Sequence, residues 1–142
     1  MSAEPSESAR LLNAGMEVRR QVLGSEYVDA ATAPDDAMTC AFQPFMTTYC
    51  WGEVWTDESL SRRDRSLLVL AMTAALGRVS ELEIHTLGAL RNGVSEDELL
   101  AVLKQITVYA GVPAGVSALK IMRGVIANHR GHLERHPEKE AQ

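Results

Sequence analysis

Three features of the sequence predict an all-α fold. No stretch alternates apolar and polar residues as a half-buried strand does, apolar residues recur at three- and four-residue spacing, and helix start and stop signals bracket nearly every segment. They point to a single-domain bundle of about six helices. The 142 residues, 46% of them apolar, suffice for one core.

Residues 1–7 are small, polar and acidic and read as a disordered N-terminus. The main domain is expected over 8–127. From about Ser8 to Leu23, the residues Leu11, Leu12, Met16, Val18, Val22 and Leu23 suit an amphipathic helix, and Gly24 stands where it should stop. Tyr27 to Pro34 reads as a connection. A proline-then-acid start, Pro34, Asp35 and Asp36, opens a second helix whose Met38, Phe42, Phe45, Met46 and Tyr49 read as core.

Cys40 and Cys50 form no C-x-x-C and no cluster at metal spacing, so they read as small buried hydrophobes and not as a disulfide framework. In Y-C-W-G-E-V-W, Trp51 and Trp55 flank Gly52. Packing is favoured over ligand contact for both rings, while Glu53 would need a partner if buried.

Ser61 and Asp64 have capping-box spacing before a run from Leu67 to Leu76 that is apolar almost all round, the expected buried centre. Arg62, Arg63 and Arg65 crowd its first turn, where the helix dipole disfavours cations. A solvated or interface face explains them; alternatively one, Arg65 above all, anchors an anionic substrate.

Gly77 interrupts this run, and Ser80 with Glu83 predicts a restart near Ser80. Glu81 and His85 then share one face at i,i+4 spacing, among Leu82, Ile84, Leu87, Ala89 and Leu90. A carboxylate beside an imidazole in apolar surroundings is a candidate acid/base pair, although a surface pair has the same spacing.

Asn92 and Gly93 supply the stop, and Ser95 with Glu98 a further capping box, with Val94 and Leu99 as its hydrophobic staple. That helix runs through Ile106 to about Tyr109 and breaks at Ala110-Gly111-Val112-Pro113. Pro113 suits the first position of a last helix that turns Val116, Leu119, Ile121, Met122, Val125 and Ile126 inward. Residues 128–142 read as a charged tail, and His129, His132 and His136 as solvated groups and not a metal set.

The net charge of −5 argues against a phosphate-backbone binder. No signal peptide or membrane span is recognisable, so a cytoplasmic protein is expected. Helices this apolar in so small a domain suggest that another copy covers part of their surface.

W-G-E-V-W, R-S-L, A-L-G-R, E-L-x-x-H, N-G-V-S-x-x-E-L and V-Y-A-G-V-P-A follow one another in this chain, after E-V-R-x-x-V-L-G at Glu17 to Gly24. In this order they resemble the 4-carboxymuconolactone decarboxylases of the protocatechuate branch of aromatic compound catabolism, over residues 11–127. The resemblance implies the alkyl hydroperoxide reductase D-like all-helical fold and a homo-oligomer, trimer or hexamer. It also implies conversion of 4-carboxymuconolactone to 3-oxoadipate enol-lactone and CO2 with neither metal nor organic cofactor.

Thiol peroxidases of the wider superfamily use C-x-x-C followed by His; the matching positions here are Arg78, Glu81 and His85, without a thiol. This match leads to a mechanistic reading in which His85 is the expected proton donor, oriented by Glu81, which raises its pKa against the opposite push of a helix N-terminus. On the same reading Arg78 is expected to hold a carboxylate or the developing oxyanion, and Trp51, Trp55 and Tyr109 to form apolar walls. One position departs from the pattern: the decarboxylases carry His in the segment where this chain has Lys104 and Gln105, and an amide does not titrate. That leaves open a shifted substrate, another unsaturated cyclic acid that is decarboxylated or isomerised. A non-catalytic, ligand-binding helical oligomer is a third reading.

Overall fold

A computed structural model describes residues 4–33 and 36–137, and every described element is helical. The chain divides into two compact units between Arg62 and Arg63.

The first unit begins with α1, Glu7–Leu23, capped by the Ser6 hydroxyl and ended by Gly24 at φ 91°, a conformation that favours glycine. The expected connection after it is instead a two-turn helix, α2, Ser25–Thr32. Its own residues, including Tyr27, Val28 and Ala30, carry no helix breaker, and Val28 is fully buried. Pro34 and Asp35 of the expected acidic helix start lie outside the described residues. Asp36 does act as the N-cap of α3, Ala37–Met46, its carboxylate accepting from the backbone N–H groups of Met38 and Thr39.

At Thr47 the winding loosens into a π-helix, Thr47–Val54, packed along α1. The two backbones meet at glycines. A Cβ on Gly15 would lie 2.6 Å from the Gly52 nitrogen, and one on Gly52 would lie 2.5 Å from the Leu11 carbonyl oxygen. Trp51 and Trp55, one turn apart, are buried and stacked at 4.8 Å, as packing predicts. Glu53 is exposed and needs no buried partner.

The residues read as the core of the second helix are not core. Met38, Phe42, Phe45 and Tyr49 are 80%, 56%, 65% and 62% exposed, in a row in which the Phe45 and Tyr49 rings stack at 6.3 Å. Apolar periodicity identifies a face that avoids water without saying what covers it. Cys40 is exposed on α3 and Cys50 half-buried, so only the second behaves as a buried hydrophobe; burial pushes its thiol pKa up, against the pull of Arg19.

The second unit contains α4 (Arg62–Ala75) from its second residue on, α5 (Val79–Arg91), α6 (Glu96–Ala110) and α7 (Val112–Arg135), with α7 packed against both α5 and α6. Its core gathers Leu70, Leu82, Ala89, Val94, Leu99, Ile106, Ala118 and Met122. α4 is less central than predicted: it buries Ser66, Leu70 and Ala74 but exposes Leu68 and Met72. The crowded arginines at its start are partly explained by pairing, Arg63 meeting the Glu98 carboxylate and lying 3.7 Å from Asp64.

Gly77, at φ 68°, turns the chain between α4 and α5. The Arg78 N–H bonds the Thr73 carbonyl at 2.8 Å, and α5 starts at Val79 with Arg78 as N-cap. Ser80 therefore lies inside the first turn instead of capping it. The Ser95–Glu98 capping box forms as expected, and its staple residues Val94 and Leu99 are both buried. Pro113 occupies the second position of α7. Val116 and Leu119, expected inward, are exposed, and the helix continues through the expected tail to Arg135, where Arg130 pairs with Glu96.

Candidate active site

The start of α5 sets Arg78, Glu81 and His85 in sequence along its first two turns. Arg78 is an exposed N-cap residue, and Glu81 sits at the third helical position, exposed, where a carboxylate suits the dipole. His85, one turn on, is half-buried between the core positions Leu82 and Ala89.

Two opposing effects act on its imidazole. Burial disfavours the charged form and Glu81 favours it; burial wins, holding the pKa at about 4. The expected direction, a pKa raised by Glu81, is thus reversed in the free chain. A neutral imidazole at pH 7 cannot give up a proton as an acid until it gains one.

Of the other predicted residues, Arg65 is half-buried on α4, while Gln105 and Tyr109 are exposed on α6. At 82% exposure the Tyr109 ring walls off nothing in a single chain. Trp51 and Trp55 belong to the first unit, where each is the other's packing partner. Among the described residues, no group of three or more His, Cys, Asp or Glu side chains is placed to hold a metal ion, and no helix is long and apolar enough to cross a membrane.

Sequence reasoning missed Arg19. It lies at 4% exposure within the buried stripe Gly15, Val18, Arg19, Val22 and Leu23 of α1, donating from Nη1 to Gln43 Oε1 at 2.9 Å and Thr47 Oγ1 at 3.0 Å. The signal was available: Arg19 falls on the helix's apolar stripe, four residues beyond Gly15 and three before Val22.

Comparison with known proteins supplies the family. The profile of the carboxymuconolactone decarboxylase family matches residues 41–124, which contain Trp51, Trp55, Arg78, Glu81 and His85. The chain is 38% identical over 111 residues to 4-carboxymuconolactone decarboxylase of Acinetobacter baylyi, covering 78% of this chain and 83% of that protein. It is also 38% identical over 117 residues to a nitrosuccinic acid decarboxylase of Metarhizium robertsii, covering 82% of each. A family profile spanning more than half of the chain, joined to two relatives matched over most of their length, establishes that this protein belongs to the carboxymuconolactone decarboxylase family.

Proposed function

We propose that this carboxy-lyase decarboxylates 4-carboxymuconolactone to 3-oxoadipate enol-lactone, with His85 delivering the proton that replaces CO2. The observation that carries the reading is the half-buried imidazole one turn from a carboxylate. When the bond from the γ carbon to the carboxylate breaks, its electron pair spreads through the unsaturated lactone to the carbonyl oxygen. Imidazolium then gives its proton to ring carbon and is left neutral, and one solvent proton is consumed per turnover.

The anionic substrate supplies what the free site lacks. A carboxylate entering beside His85 joins Glu81 in favouring imidazolium, so binding draws a proton onto the ring. Arg78, with Arg65, is assigned to the carboxylate that is retained. Tyr109 is assigned to the apolar surroundings and Gln105 to a hydrogen bond with the lactone.

One observation favours a second reading. The two relatives are equally similar to this chain but are named for different acids. Both acids are dicarboxylates, and in both the departing carboxylate leaves its electrons on a sink, a conjugated lactone or a nitro group. With Gln105 in place of an imidazole, a substrate shifted within that class is the alternative. Purified protein supplied with each acid in turn, with CO2 followed, is expected to release CO2 from the lactone. Release from nitrosuccinate alone would transfer the assignment to the second acid, and release from neither would overturn the proposal.

The proposal includes self-association, as a trimer or hexamer, through the exposed row of Met38, Phe42, Phe45 and Tyr49. Phe45→Asp places a charge in the middle of that row. Light scattering behind a sizing column should show an oligomer for the natural chain and a smaller species for the variant; equal masses would remove this face from the interface.

A further inference from the structure

A cleft of about 530 Å³ in the first unit lies between α1, the end of α2 and α3, a volume suited to a small molecule. Its walls are partly apolar, with Leu12, Met16 and Pro44, and among the described residues its one charged lining residue is Arg20. Arg20 holds Asp29 through Nε and Nη2, both on one carboxylate oxygen.

Behind the wall stands Arg19. Its guanidinium is buried with no carboxylate bonded to it among the described residues; its partners are the neutral oxygens of Gln43 and Thr47, and its buried Nε has none. Burying a cation against neutral partners alone is costly, and a nearby anion would offset that cost. The arrangement also fixes Gln43. A guanidinium only donates, so the amide oxygen must face Arg19. The amide NH2 of this cleft-lining side chain is thereby turned away from Arg19 and left to donate to an occupant.

From the cleft, the uncompensated guanidinium behind it and the oriented amide, we infer that the cleft lined by Leu12, Met16, Arg20, Gln43 and Pro44 is a binding site for a small organic carboxylate with an apolar body. The carboxylate accepts from the Gln43 NH2 and lies in the field of Arg19 and Arg20, while its hydrocarbon part rests on Leu12, Met16 and Pro44. This site is additional to the decarboxylation assigned to His85 and does not depend on it.

Cys40 offers a readout, because its thiol lines the cleft and is exposed. The full chain is titrated with sodium benzoate, and with benzamide and benzylammonium as its neutral and cationic counterparts, while backbone amide shifts of residues 12–47 and alkylation of Cys40 are followed. Benzoate alone is expected to shift those amides saturably and to slow Cys40 alkylation, with half-buried Cys50 as the internal reference. Gln43→Glu gives Arg19 a carboxylate of its own at nearly constant size, and should weaken benzoate binding by roughly tenfold or more while keeping thermal stability. Arg20→Gln, at an exposed position, leaves Asp29 unneutralised beside the cleft and should weaken binding by about threefold. Equal binding of benzamide, no saturable response to benzoate at millimolar concentration, or unchanged affinity in both variants would each overturn the inference.

Discussion

On the proposed mechanism, His85→Ala is expected to lower turnover of the lactone by about 10²–10⁴-fold, the range that a positioned proton donor contributes, and to leave the helical fold in place. The imidazole is half-buried and outside the group of fully buried side chains that organise the second unit, so its loss removes chemistry before it removes structure. The pH profile separates a proton donor from a packing residue. In the free protein His85 is protonated only below about 4, whereas the proposed donor role requires imidazolium in the reacting complex. Since kcat/KM reports the free enzyme, it should fall as pH rises above about 4. In contrast, kcat should stay level until the higher pKa of the complex is reached. A kcat/KM that instead rises through that region and levels off would mean that the neutral ring is the working form.

Gly52→Ala destabilises the protein by about 3 kcal/mol, the upper part of the range for forcing atoms into a packed contact. In thermal unfolding this is a loss of roughly 10 °C for a chain of this size. The added methyl would lie 2.5 Å from the Leu11 carbonyl oxygen and 3.0 Å from its carbon, backbone atoms that no rotamer change can move. Either α1 or the π-helix must shift, opening the packing around Trp51 and Trp55. Gly124, in the body of α7, is the control: a Cβ there meets nothing within 4 Å, so Gly124→Ala should be neutral or stabilising by up to about 1 kcal/mol. Equal effects of the two substitutions would refute the close-crossing explanation.

These cases show how far the sequence could be read. Local signals held where the chemistry is local: the Ser95–Glu98 box, the Asn92-Gly93 stop, and Gly24, Gly77 and Gly111 at breaks where the chain takes positive φ. The Ser80–Glu83 pattern misled because the turn at Gly77 carries Arg78 into the cap position first. The W-G-E-V-W motif was legible as aromatic packing around a glycine. That its glycine meets the backbone of α1 was not, since Gly15 and Leu11 lie far away in sequence and a π-helix has no simple periodic signature. The row Met38, Phe42, Phe45 and Tyr49 was legible as an apolar face and wrongly assigned to the core of one chain. Spacing singled out Glu81 and His85 as candidates, and the family motifs added Arg78. The sign of the imidazole shift depends on how much hydrocarbon surrounds the ring, which neighbours in sequence do not determine.

The most direct measurement is the titration of the His85 ring followed by NMR, first in the free protein and then with saturating succinate, a dicarboxylate with no electron sink and hence no reaction. The expected midpoint in the free protein is about 4, and succinate should move it upward as the bound carboxylate recruits a proton. An ordinary midpoint near 6.5 in the free protein, or one that succinate leaves unmoved, would contradict proton delivery by a ring that charges only when substrate arrives.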